Sequence, residues 1–174
     1  MSYSPARRRW SDSFIPEMKR IVGPCLLEPS SFEVDTEQAA DLVVMRARDM
    51  MIACRVRSDE YLARYPWDIT IRSKLDSGVK TEFNKIVEGW GDWLFYGHED
   101  PEKHGHFRRW FLIDLHEFRA ELIRDGYRNK RRYPDPSKPI PNGDGSHFLA
   151  YNARLLPKRC FVSVSHDIPR TEAA

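Results

Sequence analysis

The stretches MMIACRVR (50–57) and WDITIRSK (67–74) decide how this chain is read. In the first, Met50, Ile52, Cys54 and Val56 alternate with Met51, Ala53, Arg55 and Arg57. In the second, Trp67, Ile69 and Ile71 alternate with Asp68, Thr70, Arg72 and Lys74. A period of two sends successive side chains to opposite faces of a strand, so each stretch predicts a β-strand with one apolar and one cation-bearing face. Shorter β-like runs precede them at Phe32–Asp35 and Asp41–Arg46. If Asp41–Arg46 and Met50–Arg57 pair as a hairpin through a turn near Arg48-Asp49, the antiparallel register brings Asp41 beside Arg55.

Upstream the period changes. Trp10, Phe14, Met18, Ile21 and Cys25 recur at helical spacing, which predicts an amphipathic helix at about 11–25 that Gly23 and Pro24 lead out into a loop. Residues 1–10, with Arg7, Arg8 and Arg9, read as a flexible basic arm. Downstream, Ser77-Gly78 opens a second helix with Phe83, Ile86, Val87 and Trp90 on one face, and Gly89 and Gly91 end it. Trp93–Tyr96 and Trp110–Ile113 read as strands. Asp114 with Glu117 predicts a capped helix at about 115–125, closed by Gly126. The Pro- and Gly-rich stretch at about 127–147 reads as an extended surface connection, and Phe148–Asn152 with Cys160–Ser165 as a closing hairpin. The expected architecture is a single α+β domain over 11–174, with a mixed or antiparallel central sheet flanked by helices.

Composition sets the outer bounds. A chain of 174 residues, 41% hydrophobic and 12% aromatic, can bury a core. The 28 Lys+Arg against 26 Asp+Glu leave a net charge of +2, so bulk charge predicts no partner and only the placement of the charges can. Cys25, Cys54 and Cys160 are far apart and form no CxxC pair, which argues against a disulfide framework and a thiolate zinc site and fits a reducing, cytoplasmic setting. The segment after Arg9 lacks the apolar run of a secretion signal, and no stretch approaches the roughly 20 apolar residues that cross a bilayer, so no membrane association is expected. No G-x-S-x-G, Walker A, Rossmann glycine pattern or H-E-x-x-H occurs, which leaves serine hydrolase, P-loop, dinucleotide and zincin readings without support.

Arg55, Arg57, Arg72 and Lys74 on the two cation-bearing faces, followed by Lys80 and Lys85 around the Ser77-Gly78 helix start, have the chemistry of a phosphate-backbone track. Guanidinium forks match phosphate oxygens, and helix N-termini present free N–H groups. The same residues also fit a solvated sheet face. Asp41 and Arg55 fit a cross-strand ion pair as well as a site. Trp90, Trp93, Phe95 and Tyr96 have the chemistry to stack on bases, but their pattern predicts core packing. His98, His104 and His106, near Glu99, Asp100 and Glu102, are residue types found at zinc, in a spacing that reads as a polar loop.

The order helix, acidic strand, hairpin partner, third strand, helix over roughly residues 11–97 resembles the PD-(D/E)XK nuclease superfamily. That resemblance implies an aspartate on one strand and an acidic-x-Lys triplet on the next, holding Mg²⁺ or Mn²⁺ for phosphodiester hydrolysis. Asp41 takes the first position and Ala53-Cys54-Arg55 the triplet, with Glu17, Asp35 or Asp68 supplying the missing oxygen. The stretch Thr70–Gly97 is also similar to proteins of phages and mobile elements. Two functions are therefore expected in alternative: binding of DNA or RNA backbone, with possible metal-dependent cleavage, or a non-catalytic phage-type protein that binds and modulates another protein.

Overall fold

A computed structural model describes residues 5–29, 42–44, 50–75, 77–128 and 139–169. In chain order they form α1 (Pro5–Asp12), α2 (Ile15–Val22), a 3-10 turn, β1 (Leu27–Pro29), β2 (Leu42–Val44), β3 (Ile52–Arg57), α3 (Asp59–Arg64) and β4 (Asp68–Lys74). Then come α4 (Glu82–Val87), β5 (Trp93–Glu99), β6 (Phe107–Asp114), α5 (Leu115–Arg128), β7 (Ile140–Pro141), β8 (His147–Asn152), a second 3-10 turn and β9 (Phe161–Val164). The fold is α+β, and no helix among the described residues is long and apolar enough to cross a membrane.

Three sheets result. β3, β5, β6 and β9 form a mixed sheet in that order, with β3 parallel to β5 and the other pairs antiparallel. β4, β8 and β7 form an antiparallel sheet, and β1 pairs with β2. The mixed sheet is covered on both faces, which the alternation of β5 makes possible. Leu94 and Tyr96, opposite Ile113 and Phe111, meet Ile69, Ile71, Leu149 and Tyr151 of the β4–β8 sheet together with Ile86 of α4 and Phe118 of α5. Phe95, opposite Leu112, points the other way and is covered by Phe14, Met18, Ile21 and Val22 of the α1–α2 segment.

Several expectations need correction. The hairpin of Asp41–Arg46 with Met50–Arg57 does not form: β2 pairs with β1, and β3 lies parallel to β5. The alternation that specifies a strand says nothing about its partner. Phe148–Asn152 and Cys160–Ser165 likewise join different sheets, β8 beside β4 and β9 beside β6. At the N-terminus, Pro5–Asp12 is helical where an arm is expected, and the chain turns at Ser13-Phe14 before α2, so the single helix at 11–25 is two. α5 runs through Gly126 to Arg128, its start capped by Asp114, whose Oδ1 accepts from the amides of His116 (2.8 Å) and Glu117 (3.0 Å). Phe32–Asp35, Asp41 and much of the expected surface connection lie outside the described residues.

Candidate anion-binding recess

The cation-bearing faces of β3 and β4 are adjacent, but they do not share a sheet. They face each other across a recess of about 190 Å³, enough for on the order of a dozen waters. Arg55 and Arg57 enter from β3, Thr70 and Arg72 from β4, and Tyr96 and His98 from β5, while Phe148 of β8, the partner of Arg72, and Ile140 of β7 extend the β4 wall. This follows from register. β3 pairs Arg55 with Tyr96 and Arg57 with His98, so the even positions of β5 and the arginines of β3 share one face of the mixed sheet.

The three guanidinium groups are held differently. Arg55 Nη1 donates to Glu82 Oε2 at 2.6 Å, a half-buried ion pair, and burial lowers the pKa of Arg55 while Glu82 opposes that shift. Arg57 donates to the Tyr96 hydroxyl at 3.2 Å and to Thr70 Oγ1, and lies 5.2 Å from the centre of the Tyr61 ring. The Thr70 and Tyr96 hydroxyls are 3.1 Å apart, so the middle of the recess is a connected polar network. Arg72 contributes its backbone amide to Glu82 Oε2 at 3.3 Å. Its guanidinium, like that of Arg57, has no contacting carboxylate among the described residues.

His98 is the residue that sequence reasoning places wrongly. It is only 1% exposed, and neither ring nitrogen has a hydrogen-bond partner among the described residues. Burial, with Arg57 and Arg109 nearby, lowers its pKa to about 4, so the imidazole in the wall is neutral near pH 7. A buried polar ring with both nitrogens unpaired is costly and uncommon in a folded protein. His104 and His106 are elsewhere, beside Glu99 (3.4 Å) and Glu17 (3.3 Å), so the three histidines do not form one cluster. The clue to His98 lies in the alternation Leu94, Tyr96, His98, which puts it on the buried face of β5.

Two tyrosines complete the mouth. Tyr61 on α3 and Tyr65 just after it both line the recess and are 44% and 53% exposed. No element is expected at 58–66 from sequence, although Ser58 followed by Asp59 and Glu60 has the composition of a helix start.

The remaining candidate residues are dispersed. Lys74 is exposed at the end of β4, Lys80 pairs with Glu88 at 2.7 Å, and Lys85 is exposed on α4; none lines the recess. The helix expected to open at Ser77-Gly78 begins at Glu82, where Thr81 and Asn84 form a capping box, so its first turn offers a carboxylate and an occupied amide rather than an anion site. Trp90, expected in the core, is 61% exposed, because α4 ends at Val87 and Gly89 turns the chain with φ +95°.

Of the metal set implied by the nuclease resemblance, Asp41 lies outside the described residues, Ala53 brings no oxygen and packs against the core, and Arg55 is joined to Glu82. Asp68 lines the recess, whereas Glu17 sits on α2 across the mixed sheet. Among the described residues no three His, Cys, Asp or Glu gather in a way that could hold a metal ion.

Glu17 has a structural partner set of its own. It accepts from Arg20 at 2.7 and 2.8 Å and faces His106, and the Arg20 hydrogen bonds first, with His106 adding, hold its carboxyl at about 2 against the opposing effect of burial. A depressed carboxylate contributes stability above its unfolded pKa and loses it as pH falls through the folded value. Glu17→Gln is therefore expected to lower Tm most at pH above 4.5, with the difference from the native protein closing between 4.5 and about 2. Thermal melts across that range check it, and a difference independent of pH would mean that the pairing is not formed.

Compared with known proteins, the chain matches no family model, no curated protein and no solved structure.

Proposed function

We propose that the protein binds nucleic acid through its phosphates, at the recess between β3 and β4. The observation that carries this reading is the convergence of Arg55, Arg57 and Arg72 on one concave surface, two of them without a contacting carboxylate among the described residues, beside exposed tyrosine rings. Guanidinium groups bind phosphate oxygens in pairs of parallel hydrogen bonds, and exposed aromatic rings give unpaired bases a surface to stack on. Recognition of this kind reads backbone charge more than sequence. The nuclease step implied by the superfamily resemblance is no part of the proposal, because Ala53 brings no oxygen to the triplet and, among the described residues, no three His, Cys, Asp or Glu gather to hold a metal ion.

Binding of labelled single strands should weaken with salt, with a slope of about −0.7 per neutralised phosphate on a log–log plot. Arg57→Ala with Arg72→Ala should weaken binding by about tenfold or more and flatten the slope by about 1.4, whereas Lys80→Ala and Lys85→Ala should change little. Affinity unaffected by the arginine pair would move the interface elsewhere. No binding at low salt would favour the second reading, a protein that binds another protein, for which Val79, Val87 and Trp90, all more than half exposed around α4, are the supporting surface.

A further inference from the structure

We infer that the recess is a strand-end site: it seats the terminal phosphate monoester of a nucleic acid, with the last base against Tyr61 and Tyr65. This rests on the nucleic-acid reading above and narrows it.

Charge comes first. Glu82 answers Arg55 at 2.6 Å, which leaves Arg57 and Arg72 as two guanidinium groups without a contacting carboxylate among the described residues. An internal phosphodiester carries one negative charge, whereas a terminal monoester carries close to two near neutral pH. Two guanidinium groups free of a contacting carboxylate suit the monoester better than the diester. Asp144 interacts with Arg72 through space, while its Oδ1 accepts from the amide of Ser146 at 3.0 Å and from the Ser146 hydroxyl.

Hydrogen-bond supply points the same way. A monoester presents three non-bridging oxygens where an internal diester presents two. The Arg57 fork is partly engaged by Thr70 and Tyr96, so donors beyond one arginine are needed. Arg72 supplies a second fork.

The recess is also polar along its length. Four residues of extended strand separate Asp68 from Arg72, roughly 13 Å. The Asp68 amide donates to Tyr65 O at 3.2 Å and the Tyr61 ring lies 5.2 Å from Arg57, so the tyrosines border Asp68 and Arg57 while Arg72 and Glu82 lie toward the other end. A nucleotide laid along β4 with its phosphate on Arg72 and Arg57 would place its base on the tyrosines. Asp68, whose pKa burial raises, would then lie near the base edge, away from the phosphate.

The test uses fluorescence anisotropy on one short single-stranded sequence carrying a 5′-phosphate, a 3′-phosphate or hydroxyls at both ends, with the label internal. One phosphorylated form should bind about tenfold tighter than the hydroxyl-ended form, which corresponds to the ~1.4 kcal/mol of one added charge-assisted hydrogen bond. Arg72→Ala should erase that advantage, Tyr61→Ala with Tyr65→Ala should weaken all three forms, and Arg108→Ala, exposed outside the recess, should change none. Equal, salt-sensitive binding of all three oligonucleotides would overturn the strand-end site and leave phosphate-backbone binding standing. No binding of any form would overturn both. Competition by a free nucleoside monophosphate as effective as the phosphorylated strand would identify a free nucleotide as the ligand and also overturn the strand-end assignment.

Discussion

Phe14→Ala is expected to destabilise the protein by about 4 kcal/mol, within the range for a fully buried phenylalanine truncated to alanine. Phe14 is 0% exposed and sits where the chain turns between α1 and α2. Its ring meets Trp10 edge-on at 5.3 Å and Phe107 at 5.1 Å, and it shares a cluster with Met18, Ile21, Phe95 and Leu112. That cluster is what covers one face of the mixed sheet. Removing the ring leaves a cavity at the hinge of the covering segment, where neither the sheet nor the two short helices can close in fully. The aromatic pairs with Trp10 and Phe107 add about 0.5–1.5 kcal/mol to the loss. Denaturant unfolding should show a lower midpoint with little change in slope. Phe14→Leu should recover much of the loss. A cost below about 1 kcal/mol would mean that the helices are not docked on the sheet as described.

What the sequence disclosed was local. The alternation in 50–57 and 67–74 predicted β3 and β4 and put Arg55, Arg57, Thr70 and Arg72 on the faces that line the recess, because a pleated strand fixes its faces without reference to a neighbour; the register irregularity between Arg72 and Lys74 was not legible. The Asp114 cap was legible for the same reason: its bonds run to amides two and three residues on. Partnership was not legible. Arg55 meets Glu82 with β5 lying beside β3, a neighbour far along the chain that no local pattern in 50–57 announces. The alternation put the arginines on matching strand faces, and the structure brings those faces together around a recess between two sheets where a flat face was expected. His98 was missed through reading 98–106 as one polar loop. The strand β5 continues to Glu99, and the loop begins only after the chain has buried the imidazole.

Gly97→Ala is expected to cost about 3 kcal/mol and to impair the recess at the same time. A Cβ at position 97 would lie 2.5 Å from both Cδ1 and Cε1 of Phe107 and 3.0 Å from Cε1 of Phe95. These are edge atoms of rigid rings, and Phe107 is held between Phe14 at 5.1 Å and Phe95 at 4.9 Å, so it has no easy retreat. The strain must be relieved by expelling the Phe107 ring or by shifting β5. A shift carries Tyr96 and His98 with it, since they flank Gly97 and project from the opposite face into the network of Arg57 and Thr70. The two routes are separable by a double-mutant cycle with Phe107→Ala, which removes the obstructing ring. In that background Gly97→Ala should cost about 1 kcal/mol or less, and the oligonucleotide affinity lost in Gly97→Ala alone should return. If Gly97→Ala costs as much without the Phe107 ring as with it, the close approach between them is not what requires glycine in the middle of β5.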